Sequence, residues 1–174
     1  MDIQIKNLSV SFPSPKGDAK VLRNADIILK SGKITAIVGE SGSGKSILGA
    51  AVMGLLESSV RVSGEILFGN TDLLSLSEKE LNSIRGERIG WIAQDPVTAM
   101  DPMMKVGKQM MEGVHFYQNG KETKADGIRQ LEEFGLSDAQ RVWDAYPFGL
   151  SGGMAQRVLT AMMTLPGPEW LIAD

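Results

Sequence analysis

Ile34-Thr-Ala-Ile-Val-Gly-Glu-Ser-Gly-Ser-Gly-Lys-Ser46 is the stretch on which the fold turns. Its first five residues form a short apolar run rich in β-branched side chains, which reads as a buried parallel strand. Gly39-Glu-Ser-Gly-Ser-Gly44-Lys45-Ser46 follows at once and matches G-x-x-x-x-G-K-[ST] at every fixed position. Between Ser46 and Leu56, Ile47, Leu48, Ala51, Val52 and Leu55 recur at helical spacing, so the glycine loop opens onto a helix N-terminus. Each residue type has a physical job there. Gly39, Gly42 and Gly44 let the backbone curl with its N–H groups inward, Lys45 offers a point charge to phosphate oxygens, and the Ser46 hydroxyl can coordinate Mg²⁺.

Leu150-Ser-Gly-Gly-Met-Ala-Gln-Arg157 repeats part of this logic further along. Ser151-Gly152-Gly153 precedes good helix formers from Met154 to Leu165, which again points hydroxyl and N–H groups at an anion. Alone, the tripeptide is an ordinary N-cap and turn. Alongside the first loop it becomes a second phosphate-facing surface. Gln94 lies between the two, at the end of Ile89-Gly-Trp-Ile-Ala93, which reads as a strand.

With these three motifs in order, the chain resembles the nucleotide-binding subunit of ATP-binding-cassette transporters from Met1 to Asp174. More narrowly, Val38–Ser46, Gln94-Asp-Pro-Val-Thr-Ala-Met-Asp-Pro102 and Tyr146-Pro-Phe-Gly-Leu-Ser-Gly-Gly-Met-Ala-Gln-Arg157 are similar to the importer branch for oligopeptides, dipeptides and nickel. The resemblance implies an α/β P-loop cassette: a mostly parallel core sheet, an antiparallel β subdomain and a helical subdomain. It also implies a head-to-tail dimer in which ATP on one subunit's loop is covered by the partner's signature. Residues implied at the nucleotide are Phe12, Gly39, Ser41, Gly42, Ser43, Gly44, Lys45, Ser46, Ile47, Ser151, Gly152, Gly153 and Gln156. Catalytic roles fall to Lys45, Gln94 and Asp174, and Mg²⁺ contacts to Ser46, Gln94 and Asp174. Phe12 stands where the family stacks an aromatic, commonly tyrosine, on adenine; a strand residue packed inward is the competing reading. Gly149 stands where the branch commonly has glutamine, so a side chain beside the signature is lost.

Implied partners are a second ATPase subunit, identical or related, the transmembrane permease and, indirectly, a solute-binding protein. The place implied is the cytoplasmic face of the membrane, as a peripheral subunit. Glu169-Trp-Leu-Ile-Ala-Asp174 reads as the strand ending in the Mg²⁺-associated aspartate. The family's next residue is the glutamate that polarises water, and a strand inserted between the Ile34–Val38 and Asp174 strands lies beyond it. The expectation is therefore an incomplete cassette, by truncation or proteolysis, that hydrolyses ATP poorly alone. A non-hydrolysing interaction module and a soluble non-transport ATPase of the same superfamily are the alternative functions.

Composition agrees. The 174 residues suit one domain, and no apolar run approaches the roughly 20 needed to cross a bilayer. Zero cysteines and one histidine leave no ligand set for structural zinc or iron–sulfur clusters. A net charge of −3 without a basic cluster argues against nucleic acid as the main partner. His115, between Val114 and Phe116, reads as a surface or packing residue.

Three zones follow along the chain: an antiparallel β subdomain (1–30 and 60–70), an ATPase core (31–58, 86–95 and 168–174) and a helical subdomain (100–165). Ile3–Val10, Val21–Leu29 and Gly64–Phe68 read as antiparallel strands, with Pro13–Gly17 as a hairpin turn. Ser77-Glu-Lys-Glu80 reads as a capping box. Helices are expected over Val106–Tyr117, Thr123–Phe134 and Met154–Leu165, broken at Asn119-Gly120, at Gly135–Asp138 and at Tyr146–Gly149. Met100, Met103, Met104, Met110 and Met111 form either a socket for a permease helix or core filling.

Overall fold

The computed structural model describes residues 1–15, 17–118 and 122–174, so Lys16 of the hairpin turn and the Asn119-Gly120 break lie outside the described residues. The chain divides into two compact units, Met1–Leu81 and Asn82–Asp174.

The first unit is built on an antiparallel sheet of order β2-β1-β3-β4, from Ile3–Phe12 (β1), Ala19–Leu29 (β2), Arg61–Phe68 (β3) and Thr71–Asp72 (β4). The sequence shows why β1 is irregular. Ile3 and Ile5 alternate inward, then the alternation skips one residue and resumes at Leu8 and Val10, all four buried. A one-residue slip moves side chains to the other face, so the strand must bulge at the skip. It does so at Asn7, whose φ is 49, and the register to both neighbouring strands shifts there. Asp26 accepts the Asn7 N–H at 2.9 Å, which satisfies the amide that the bulge removes from the ladder.

Between β2 and β3 lies the helix Lys45–Val52 (α1). It is shorter than the pattern predicts: Leu55 falls outside it and is exposed. A larger departure is Ile34–Val38. No strand forms there, and Ile34 and Val38 stand exposed. A parallel strand is held by ladder partners and burial on its faces, and among the described residues this run has no ladder partner. Its β-branched composition alone cannot fix it.

Glu78–Ile84 (α2) crosses from the first unit into the second, starting at the expected capping box: Glu80 accepts the Ser77 N–H at 2.8 Å, and its own N–H reaches Ser77 Oγ at 3.4 Å. In the second unit, Ile89–Ile92 (β5) and Trp170–Ala173 (β6) pair in parallel, Ile92 opposite Ala173. Arg88 and Glu169, joined at 2.7 Å, fix the entry of both strands, and the guanidinium holds the Glu169 carboxyl below its ordinary range.

The remaining helices are Val106–Gln118 (α3), Lys124–Glu133 (α4), Ala139–Asp144 (α5) and Gly152–Thr164 (α6). Their core contains Met100, Val106, Met110, Leu131, Val142, Trp143, Ala155 and Val158. α6 begins two residues earlier than the apolar pattern suggests, because Ser151 caps it. α4 begins at a second capping box, in which Asp126 accepts the Thr123 N–H at 2.8 Å and hydroxyl at 2.7 Å. Those bonds, first the hydroxyl and then the amide, lower the Asp126 pKa. A depressed carboxylate contributes stability that is present above its unfolded pKa and lost as pH falls through the folded one. Thr123→Ala is accordingly expected to cost about 1 kcal/mol at neutral pH, with the gap to wild type narrowing in acid as Asp126 protonates. Urea melts at neutral and acid pH check this; a gap independent of pH would count against the capping role of Asp126.

Candidate nucleotide site

In the first unit, the loop 39–46 meets α1 at Gly44, whose φ of 95 is unfavourable for any side chain. A Cβ there would also lie 2.8 Å from Leu22 Cδ2 and 3.2 Å from Val21 Cγ1 on β2. Gly44 is thus required twice over, by conformation and by close approach. Lys45, the first residue of α1, turns back over the loop and donates to the carbonyls of Gly39 (2.9 Å) and Glu40 (2.8 Å) and to Ser43 Oγ (3.4 Å). Ser43 N–H in turn donates to Glu40 O at 3.2 Å. The ammonium is therefore held by neutral oxygens at a helix N-terminus, where the backbone dipoles favour an anion. Ser41, Gly42, Ser43 and Ser46 are exposed, and Lys45 and Ile47 half-buried.

Phe12 occupies the last rung of the β1–β2 ladder, opposite Ala19, on the strand that also carries Val21 and Leu22 against Gly44. It is half-buried. The strand pairing thus brings Phe12 toward the loop end of the unit.

In the second unit, the parallel register brings Gln94 and Asp174 to the same end of β5 and β6. Asp174 N–H donates to Ile92 O at 3.0 Å and extends the ladder by one bond, while Gln94 follows Ile92 by two residues. Both side chains lie past the carboxyl ends of parallel strands, the place where α/β sheets present ligand-binding groups. Ser151 sits on a different element. It caps α6 by accepting the Met154 N–H at 3.4 Å, and Gly152 and Gly153 are exposed, with nothing within 4 Å of where a Cβ would stand. Gln156 is half-buried at the start of the second turn of α6.

Two contributors were not read from the sequence. Arg157 donates to Gly153 O at 3.2 Å and Gly135 O at 3.3 Å, tying the start of α6 to the end of α4. Its spacing of four from Gly153 on a helix is the signal that could have found it. Gln109, on α3, bonds to the loop that follows Gln94 and has no comparable signal. The methionines divide between the two readings given to them: Met100 and Met110 are core, Met111 packs against it, and Met103 is 84% exposed. His115 is exposed.

The ABC transporter family profile matches residues 22–174, most of the chain. The chain belongs to the ABC transporter family. Among curated members it is 40% identical over 174 residues to the oligopeptide transport ATP-binding protein OppD of Escherichia coli, covering 99% of this chain and 52% of that protein. It is 41% identical over 177 residues to the dipeptide transport ATP-binding protein DppD of Lactococcus lactis, covering 99% and 50%. The chain therefore spans about half the length of the curated relatives it matches. Of solved structures, the dimeric post-hydrolysis ABC cassette MJ0796, bound to ADP and phosphate, superposes with a TM-score of 0.87 at 25% identity, covering 99% of this chain and 73% of that one. The α/β cassette fold expected from the motifs is thereby shown.

The donors fit such a ligand. A loop that excludes a Cβ at Gly44 and points an ammonium at neutral carbonyl oxygens has the chemistry to exchange those oxygens for phosphate. Among the described residues no three His, Asp or Glu side chains gather as a metal cage.

Proposed function

We propose that this chain is the ATP-binding and ATP-hydrolysing part of an ABC importer for peptides or nickel, driven by ATP-dependent head-to-tail pairing of two cassettes. The observation that carries the reading is Lys45 folded over its own loop at the N-terminus of α1. On binding, Lys45 transfers its ammonium from the Gly39 and Glu40 carbonyls to the β and γ phosphates, and the loop N–H groups of residues 42–47 bind the same oxygens. Phe12 offers a π face to adenine. Ser151, Gly152, Gly153 and Gln156 present their open helix terminus to the γ phosphate held by a partner cassette. Oxygen donors for Mg²⁺ are assigned to Ser46, Gln94 and Asp174, a set suited to a hard cation. Bound Mg²⁺ supplies Lewis-acid neutralisation of phosphate charge.

The three zones read from the sequence are kept as the working organisation: β subdomain, ATPase core and helical subdomain. Among the described residues no helix is long and apolar enough to cross a membrane. Peripheral attachment to the cytoplasmic face, through the permease, is part of the proposal. The exposure of Met103, beside core Met100 and Met110, supports a permease contact on that side of the loop. The test is Ser151→Arg in the full-length protein assembled with its partners. ATP binding per subunit should persist while turnover falls roughly a hundredfold, as when a transition-state donor is lost; unchanged turnover would overturn the trans arrangement.

A further inference from the structure

We propose that Gln109 is a positioning residue that fastens the loop following Gln94 to the first turn of α3, so that a displacement at Gln94 is carried into the helical region. This deepens the reading above and rests on its assignment of Gln94 as a Mg²⁺ donor at the bound nucleotide.

The carboxamide of Gln109 makes three hydrogen bonds. Its Oε1 accepts the Asp101 N–H at 2.9 Å, and its Nε2 donates to Asp101 O at 3.0 Å and to Met104 O at 2.8 Å. Both donors and one of the two acceptor lone pairs of the amide are engaged, and the pattern fixes which end is nitrogen. The rest of the loop is closed by local bonds. Asp95 accepts from the N–H groups of Val97 (3.0 Å) and Thr98 (3.4 Å), and Asp101 accepts from Met103 N–H at 2.8 Å. These bonds close the turns at 95–98 and 101–103. They do not join the loop to the helices.

Among the described residues, buried Met100 in the helical core and the Gln109 amide do that. Burial of a methionine is adaptable and permits sliding, whereas three directional bonds hold a register. Val106 N–H, at the start of α3, donates to Ala145 O at 2.9 Å, six residues before Ser151. The clasp therefore lies on a continuous run of bonded segments from Gln94 toward the signature. Spatial continuity alone does not demonstrate coupling, so the test must read coupling itself.

The experiment is amide hydrogen exchange on the full-length protein with and without Mg-ATP, in wild type and Gln109→Met. The substitution keeps side-chain length and removes all three bonds. In wild type, ATP should slow exchange both at 95–100 and in the first turn of α3. In Gln109→Met the response at 95–100 and the ATP affinity should persist, while the α3 response shrinks roughly tenfold. An α3 response that survives overturns the proposal, as does a parallel loss of ATP affinity, both responses and melting temperature, the mark of a packing role. If wild type binds ATP without any response at 95–100, the assignment of Gln94 falls and the proposal with it, a failure distinct from the first two. Gln109→Glu, which keeps the acceptor but turns lone pairs toward the carbonyls of Asp101 and Met104, provides the second variant should Gln109→Met not fold; it should show the same loss.

Discussion

Lys45→Ala is expected to weaken Mg-ATP binding by about 100-fold or more, about 2.7 kcal/mol, while leaving the fold intact. Two losses add at this position. The ammonium is the side chain of loop 39–46 that already reaches inward, bonded to Gly39 O, Glu40 O and Ser43 Oγ, so its removal deletes both the charge offered to phosphate and the bridge that closes the loop. Charge-assisted bonds to phosphate are about twice as strong as neutral ones, and an alanine methyl replaces none of them. Stability should hardly move, because the acceptors left behind are exposed carbonyls that water can satisfy. Lys45→Arg should fail to restore binding: a planar fork cannot place a point charge where three oxygens converge. Calorimetric titration of Mg-ATP into the three proteins decides it. Binding by Lys45→Ala equal to wild type would remove the loop as the phosphate site.

What the sequence makes legible here is what is local. The glycine loop opening onto α1, the capping box at Ser77 and the turn at Gly135 all depend on neighbours a few residues away. Ile34–Val38 shows the limit. Its composition is that of a central strand, yet strand formation is a property of a pair, and no ladder partner faces it among the described residues. The six-residue α5 was not anticipated because so short a helix, only about two turns, carries little periodic signal; packing of Ala139, Val142 and Trp143 holds it instead. In the candidate site, the motif residues were legible by type, whereas the Gln109 and Arg157 bonds were not. Both join segments whose proximity arises only when the helices pack.

Gly107→Ala is expected to destabilise the helical unit although alanine is the better helix former, and Trp143 is the reason. Gly107 on α3 and Gly127 on α4 both lie against the indole of Trp143 from α5, and a methyl at either position would overlap ring atoms. A glycine in a helix costs up to about 0.5–1 kcal/mol relative to alanine; α3 and α4 carry theirs in the first turn, where one large ring packs between them. Forcing a methyl into this space should cost about 1–3 kcal/mol or more through strain. Trp143→Ala should cost about 3–5 kcal/mol by emptying it. The decisive variant is the double one. With the ring gone, the Gly107 methyl meets no obstacle and restores helix propensity, so Gly107→Ala in the Trp143→Ala background should be neutral or stabilising by about 0.5–1 kcal/mol. A change of sign between backgrounds is the coupling expected of residues that contact one another. Urea unfolding midpoints, with slopes compared to exclude a changed denatured state, measure all four proteins. Additive costs would mean that the glycines matter for some reason other than the indole. Because Val106, next to Gly107, donates to Ala145 just ahead of the segment leading to Ser151, the same variants should also loosen the cap of α6. Exchange of the Met154 amide, which is bonded to Ser151 Oγ, should therefore quicken in Gly107→Ala and return toward wild type in the double variant.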